Sequence, residues 1–200
     1  MANSLLQLFA RPPQSGKVKT RLIPDVGVQA ATAIYRHCLQ HNLKLLDMSP
    51  CDSQLWLSTA AELDLITADR FFIQQGQDLG QRMYHALSTQ LESQRYDKAI
   101  LIGADCLDLT PAIIQAVERK LDDFDLVLIP AEDGGYVLIA VREQVDPALF
   151  RHIDWGSNRV LHQTLQIAEA QGIKFRLMNP LRDIDRLEDL QHYPQLQQYL

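Results

Sequence analysis

The chain predicts a single-domain α/β fold: a mostly parallel sheet with one antiparallel insertion and helices on both faces. Three observations carry this. Short apolar runs alternate with helical patterns almost throughout, as βαβ units require. Two of those runs, 126–130 and 136–141, are joined only by Ala131-Glu132-Asp133-Gly134-Gly135, too short for a helical crossover, so they pair antiparallel. The length of 200 residues with 46% hydrophobic content suffices for one sizeable core, and no linker, repeat or low-complexity tract divides residues 1–200.

The elements follow in order. The apolar run from Leu5 is a first strand opening into a loop. Ile34, Cys38, Leu39, Leu43 and Leu46 make one apolar stripe, which predicts a helix over 28–48. Residues 54–58 and 70–74 read as the second and third strands. Asp78, with Gln81 three residues on, caps a helix over 78–93. Residues 98–103 form the clearest buried strand, left at Gly103. Thr110 then caps a helix whose first position is Pro111. After the antiparallel pair, Ser157 is expected to cap a helix over 157–171, followed by a strand near 174–178 and a short helical region.

The net charge of −6 argues against a general nucleic-acid binder, which needs an excess of Lys and Arg, but leaves room for a small nucleotide held by a local basic cluster. Cys38, Cys51 and Cys106 show no Cys-x-x-Cys or zinc-ligand spacing, and three sparse cysteines suit a reducing compartment. No signal peptide and no run approaching the ~20 apolar residues of a membrane span is evident. A cytoplasmic protein is expected, with no membrane partner.

Three clusters could carry chemistry. The first loop holds Arg11, Lys17, Lys19 and Arg21 around Gly16, whose missing side chain lets backbone approach a ligand closely. Four cations at the end of a buried strand, in an acidic chain, suit a phosphorylated ligand. Asp105 follows the best strand directly, where ligands of open α/β sheets bind, and a carboxylate there could hold a divalent cation that bridges phosphate oxygens. Glu132, Asp133, Gly134, Gly135 and Tyr136 form the second cluster; the glycines suit a tight turn, and the carboxylates could hold an acceptor hydroxyl or supply a general base. In the third, Asp183 and Asp185 fall on the same side of Ile184, and either could complete a metal site with Asp105. Asp185 followed by Glu188 also reads as a helix start. No Walker, Rossmann or nucleophile-elbow signature is present.

The clusters and their order resemble the GT-A-like transferases of the "transferase 1" family associated with radical-SAM and selenium-domain genes. That family's pattern Phe-Ala-Lys-x-Pro-x-x-Gly-x-Val-Lys-Thr-Arg-Leu matches Phe9-Ala10-Arg11-Pro12-Pro13-Gln14-Ser15-Gly16-Lys17-Val18-Lys19-Thr20-Arg21-Leu22. Gly76-Gln77-Asp78-Leu79-Gly80-Gln81-Arg82-Met83, Gly103-Ala104-Asp105-Cys106, Pro130-Ala131-Glu132-Asp133-Gly134-Gly135-Tyr136 and Asp183-Ile184-Asp185 continue the match. The family pattern has Gly-Ser-Asp-Cys-Pro where this chain has Ala104 and Leu107, a change that removes no ligand. The resemblance implies a nucleotide-diphospho-sugar transferase fold, with Lys19 and Arg21 at the diphosphate, Asp105 and Asp185 holding Mg²⁺ or Mn²⁺, and the Asp133–Tyr136 loop facing the acceptor. The expected reaction is glycosyl transfer from a nucleotide sugar to a small-molecule acceptor. Nucleotidyl transfer from a nucleoside triphosphate and non-catalytic nucleotide binding are the alternatives. On this view Asp105→Asn abolishes turnover and leaves thermal stability nearly intact.

Overall fold

The computed structural model describes residues 3–60 and 71–200. Among the described residues the centre is a seven-stranded sheet, with the strands, numbered in chain order, arranged β3-β2-β1-β4-β6-β5-β7. β1 (Ser4–Ala10) lies between β2 (Asp52–Leu57) and β4 (Lys98–Gly103), parallel to both. β3 (Phe71–Ile73) extends the sheet beyond β2; Arg70, part of the expected third strand, lies outside the described residues. β6 (Tyr136–Arg142) runs antiparallel to β4 and to β5 (Leu126–Pro130), and β7 (Phe175–Leu177) pairs parallel with β5. The five-residue link therefore does what its length dictates: it reverses the chain once inside an otherwise parallel sheet.

Helices cover both faces, which is why β1 is buried at every position instead of alternating. One face packs Tyr35, Leu39 and Leu46 of α1 (Ile23–Met48) and Ile114 and Val117 of α3 (Pro111–Lys120) against Leu6, Leu8, Ile100 and Ile102. The other packs Met83, Ala86 and Leu87 of α2 (Leu79–Glu92) and Ala168 of α4 (Val160–Ala170) against Phe9, Leu101 and Ile139. Gln7, a polar residue fully buried in the central strand, is accommodated by donating its amide to the Ala86 carbonyl at 2.9 Å.

Caps and kinks follow local chemistry. Asp78 and Thr110 accept the Gln81 and Ile113 N–H groups as expected of N-caps. Gly27 breaks α1 with φ 81°, so its regular part begins at Val28, where the apolar stripe places it. α4 departs from expectation. It starts at Val160 and Ser157 is not its cap; the Ser157 hydroxyl accepts the Arg159 N–H, and the Leu161 N–H goes instead to the Gly134 carbonyl at 2.9 Å. The turn between β5 and β6 thus supplies a cap that no local pattern could reveal.

The last segment forms two 3-10 helices, Leu187–His192 and Pro194–Tyr199, which bury Leu190, Tyr193 and Leu196 against Ala31, Ile34 and Cys38 on the outer side of α1. Asp185 does not start this region. The helical stretch begins after Arg186, and the Asp189 carboxylate accepts the N–H groups of Asp185 (2.8 Å) and Arg186 (2.6 Å). Among the described residues, no helix is long and apolar enough to cross a membrane.

Candidate active site

The carboxyl ends of β1, β2 and β4 open into a cleft of about 590 Å³ lined by Arg11, Lys17, Lys19, Arg21, Asp105 and Asp185. This is where a parallel sheet leaves room for ligands. Lys19 sits on its floor in a left-handed conformation (φ 47°), with its side chain only 4% exposed. Its ammonium is ion-paired with Asp105 Oδ1 at 2.8 Å and donates to the Ile184 carbonyl. Burial alone would pull the Lys19 pKa down, but Asp105's charge and hydrogen bond more than reverse this and leave it above the ordinary lysine value. Arg21 pairs with Asp185 Oδ2 at 2.5 Å. The first loop and the 183–185 stretch are therefore tied together, and Ile184 is fully buried between two aspartates that face the cleft side.

Two residues that the sequence reading missed hold this cleft in shape. The Tyr35 hydroxyl accepts the Arg11 N–H and donates to the Arg11 carbonyl, each at 2.8 Å. Burial raises its pKa, so it stays a donor at neutral pH. Asn42, fully buried on α1, donates its amide to the Cys38, Ala104 and Cys106 carbonyls and so pins the turn that carries Asp105. The available signal was a polar side chain on the apolar stripe of a helix. Gly16 adopts φ 77°, a conformation that favours glycine, and a Cβ there would meet only the Val28 side chain, at 4.0 Å.

Beside it lies an acidic cleft of about 480 Å³, lined by Glu132, Asp133, Asp183, Asp185, Glu188 and Asp189 against Arg21, Arg182 and Arg186. Asp133 Oδ1 accepts the Gly135 N–H at 2.9 Å, closing the turn and aiming the carboxylate. Glu132 is engaged by Arg182 at 2.9 Å. Gly134 has φ 90°, and a Cβ there would fall 2.3 Å from the Asn158 carbonyl oxygen, so both conformation and close approach require glycine. Tyr136 carries its hydroxyl into the protein, where burial raises its pKa. Asp183 is half-buried, and burial first, then the Asp133 charge, pushes its carboxyl up to about 6.

No three His, Cys, Asp or Glu side chains converge as a ready metal cage among the described residues. The oxygen donors nevertheless suit a hard cation. Asp105 is 44% exposed, Lys19 occupies one of its oxygens, and the mutual repulsion of Asp133, Asp183 and Asp105 is what a dication would relieve. Magnesium in such sites takes one or two protein carboxylates and completes its shell with substrate phosphates and water, so a cage built of protein alone is not required.

Residues 40–157 match the family described as "uncharacterized protein conserved in bacteria" (DUF2064). A candidate nucleotide-diphospho-sugar transferase from Desulfovibrio desulfuricans G20 is 30% identical and superposes with a TM-score of 0.87, covering 97% of this chain and 88% of that one. More distant structures share the fold. 4-Diphosphocytidyl-2C-methyl-D-erythritol synthase superposes with a TM-score of 0.63 at 11% identity, covering 98% of this chain and 99% of that one. CMP:2-keto-3-deoxy-manno-octonic acid synthetase, solved with CTP, gives 0.59 at 10% identity, with full coverage of both chains (100% and 100%). No curated protein matches the chain. The chain therefore belongs to the DUF2064 family and has the nucleotide-diphospho-sugar transferase fold.

Proposed function

We propose that this protein is a transferase that takes a nucleotide-diphospho-sugar as donor and delivers its glycosyl group to a hydroxyl of a small acceptor. The observation that carries the reading is the pairing of two clefts across one charged seam. The cationic cleft ends at Lys19–Asp105 and Arg21–Asp185, and the acidic cleft begins at the same Arg21 and Asp185. A donor lying in the first presents its diphosphate to Arg11, Lys17 and Arg21 and its sugar to the second. Lys19, already committed to Asp105 and Ile184, acts on the phosphates through its charge and through the loop it holds.

In this reading Asp133 takes the acceptor proton. One of its oxygens is held by the Gly135 N–H, leaving the other to face the acidic cleft. As the acceptor oxygen bonds to the anomeric carbon, the bond from that carbon to the diphosphate breaks and nucleoside diphosphate leaves. Asp105, with Asp183 or Asp185, would hold Mg²⁺ or Mn²⁺, which when bound supplies charge to stabilise the leaving diphosphate. Asp185 is the less available of the two, since Arg21 already engages it.

A second reading, nucleotidyl transfer with release of pyrophosphate, is favoured by one observation: Arg82 stands with Arg11 and Lys17 on the same cleft, three cations besides the ion-paired Lys19 and Arg21 for a triphosphate to meet.

The test is a thermal-shift panel of nucleotide sugars and nucleoside triphosphates with and without Mg²⁺ or Mn²⁺, followed by turnover assays. Metal-dependent stabilisation by a nucleotide sugar, with release of nucleoside diphosphate and a loss of about 10²–10⁴-fold in turnover for Asp133→Asn, is the expected result. Stabilisation by triphosphates alone, with pyrophosphate released, selects the second reading. No stabilisation by either class refutes both.

A further inference from the structure

The two clefts meet at a third cavity whose chemistry differs from theirs. It measures about 200 Å³ and is lined by Phe9, Met83, Leu101, Val160, Trp155 and the ring of Tyr136, with neighbouring backbone and aliphatic groups. It shares Phe9, Leu79 and Gly103 with the cationic cleft, and Asp133, Gly156 and Ser157 with the acidic one. An apolar chamber thus opens where the transferred group and the Asp133 carboxylate would meet.

Its walls are held by backbone. A Cβ on Gly80 would lie 2.6 Å from the Phe150 carbonyl oxygen and 2.7 Å from the Trp155 indole, so Trp155 rests directly on α2. On the opposite side the Gly134 carbonyl is bonded to the Leu161 N–H, which sets the start of α4 and hence Val160. Collapse of side chains into the space would have to break these contacts. A cavity of roughly 150 Å³ with an aliphatic and aromatic lining accepts a benzene-sized ring, so this one has room for a single substituted ring.

We propose that the chamber receives the apolar ring of the acceptor. The acceptor class is then an amphiphilic alcohol, with a hydroxyl beside one aromatic or alicyclic ring. The ring enters between Met83, Trp155 and Val160, and the hydroxyl stays at the mouth beside Asp133 and Ser157. A fully polar sugar or phosphate ester would leave this lining wet and its own hydroxyls unpartnered. The word acceptor rests on the transfer reading above; occupancy of the chamber by a ring does not.

The test uses the full chain with ¹³C-labelled methionine methyl groups, Met83 being identified by its loss in Met83→Leu. Benzyl alcohol is titrated as probe and glycerol as polar control. The expected result is a saturable shift of the Met83 methyl with benzyl alcohol, none with glycerol, and none at Met48, which is 67% exposed outside the chamber. Val160→Phe fills the space and should weaken the titration about tenfold or more while leaving nucleotide-induced thermal shifts unchanged. No Met83 response up to the solubility limit of benzyl alcohol, or an unaltered titration in folded Val160→Phe, overturns the proposal. Should Val160→Phe not fold, the wild-type titration decides alone. A Met83 response beside a silent nucleotide panel would refute the transfer reading and keep the chamber. The converse would refute the chamber only.

Discussion

Lys19 shows how much a single residue can be asked to do. As one of four cations in a loop it reads as a phosphate ligand, yet the folded chain spends its ammonium on Asp105 and on a carbonyl 165 positions away. This changes what a substitution at Asp105 should do. Read as a metal ligand alone, Asp105 is dispensable for folding. Read as the counter-charge of a lysine whose side chain is 4% exposed, it is not. Asp105→Asn keeps a hydrogen-bond acceptor but leaves a buried cation short of its partner's charge. Because Asp105 itself is 44% exposed, solvent screens part of the loss, and a destabilisation of about 1–2 kcal/mol is expected. Urea denaturation at pH 7 measures it. A midpoint identical to wild type would mean that the pair contributes nothing, and the stability-neutral expectation would stand. Tyr35 and Asn42 carry the same lesson in reverse: the contacts by which they hold the Arg11 backbone and the Asp105 turn are long-range, so in sequence they register only as polar atoms on a buried helix face.

At the scale of elements, most of the architecture was legible because each signal is local. Apolar runs bounded by turn residues mark the strands, Asp78 and Thr110 mark helix starts, and the five-residue link forces the reversal at β6. What misled was a signal equally local, Ser157, because the donor at the start of α4 is satisfied by the β5–β6 turn. That turn therefore does two jobs: it aims Asp133 and it caps α4 through the Gly134 carbonyl. Gly134→Ala tests the coupling. With φ 90° and a Cβ placed 2.3 Å from the Asn158 oxygen, alanine must displace backbone, at a cost of about 2–4 kcal/mol. If the turn links the two, hydrogen exchange should rise at the first turn of α4 as well as in the turn itself. Faster exchange confined to residues 131–136 would show that α4 is anchored independently.

Across the whole molecule, the site is assembled from segments far apart in the chain. Arg21–Asp185 spans 164 residues, and His37 meets the Tyr199 hydroxyl across 162. Neither cluster announces its partner in sequence, since pairing depends on the segment from 181 onward returning across the outer side of α1. The Ala131–Leu181 bridge and the Ile184 N–H bond to the Asp105 carbonyl begin that return, and Leu190, Tyr193 and Leu196 complete it against α1. A chain ending at Arg186 keeps Asp105, Asp133, Asp183 and Asp185 but loses this cover, together with the Asp189 carboxylate that holds the Asp185 and Arg186 N–H groups. Three largely buried side chains are worth on the order of 3–6 kcal/mol after allowance for a compact unfolded state, enough to lower the urea midpoint clearly. Cys38 gives a second readout. In the intact protein it is fully buried, and burial pushes its thiol up to about 12, so iodoacetamide at pH 8 should leave it unmodified. In the shortened chain it should be alkylated, and nucleotide-induced stabilisation should shrink as Asp185 loosens from Arg21. A shortened chain with an unchanged midpoint and an unreactive Cys38 would show that the site's geometry is set by the sheet alone.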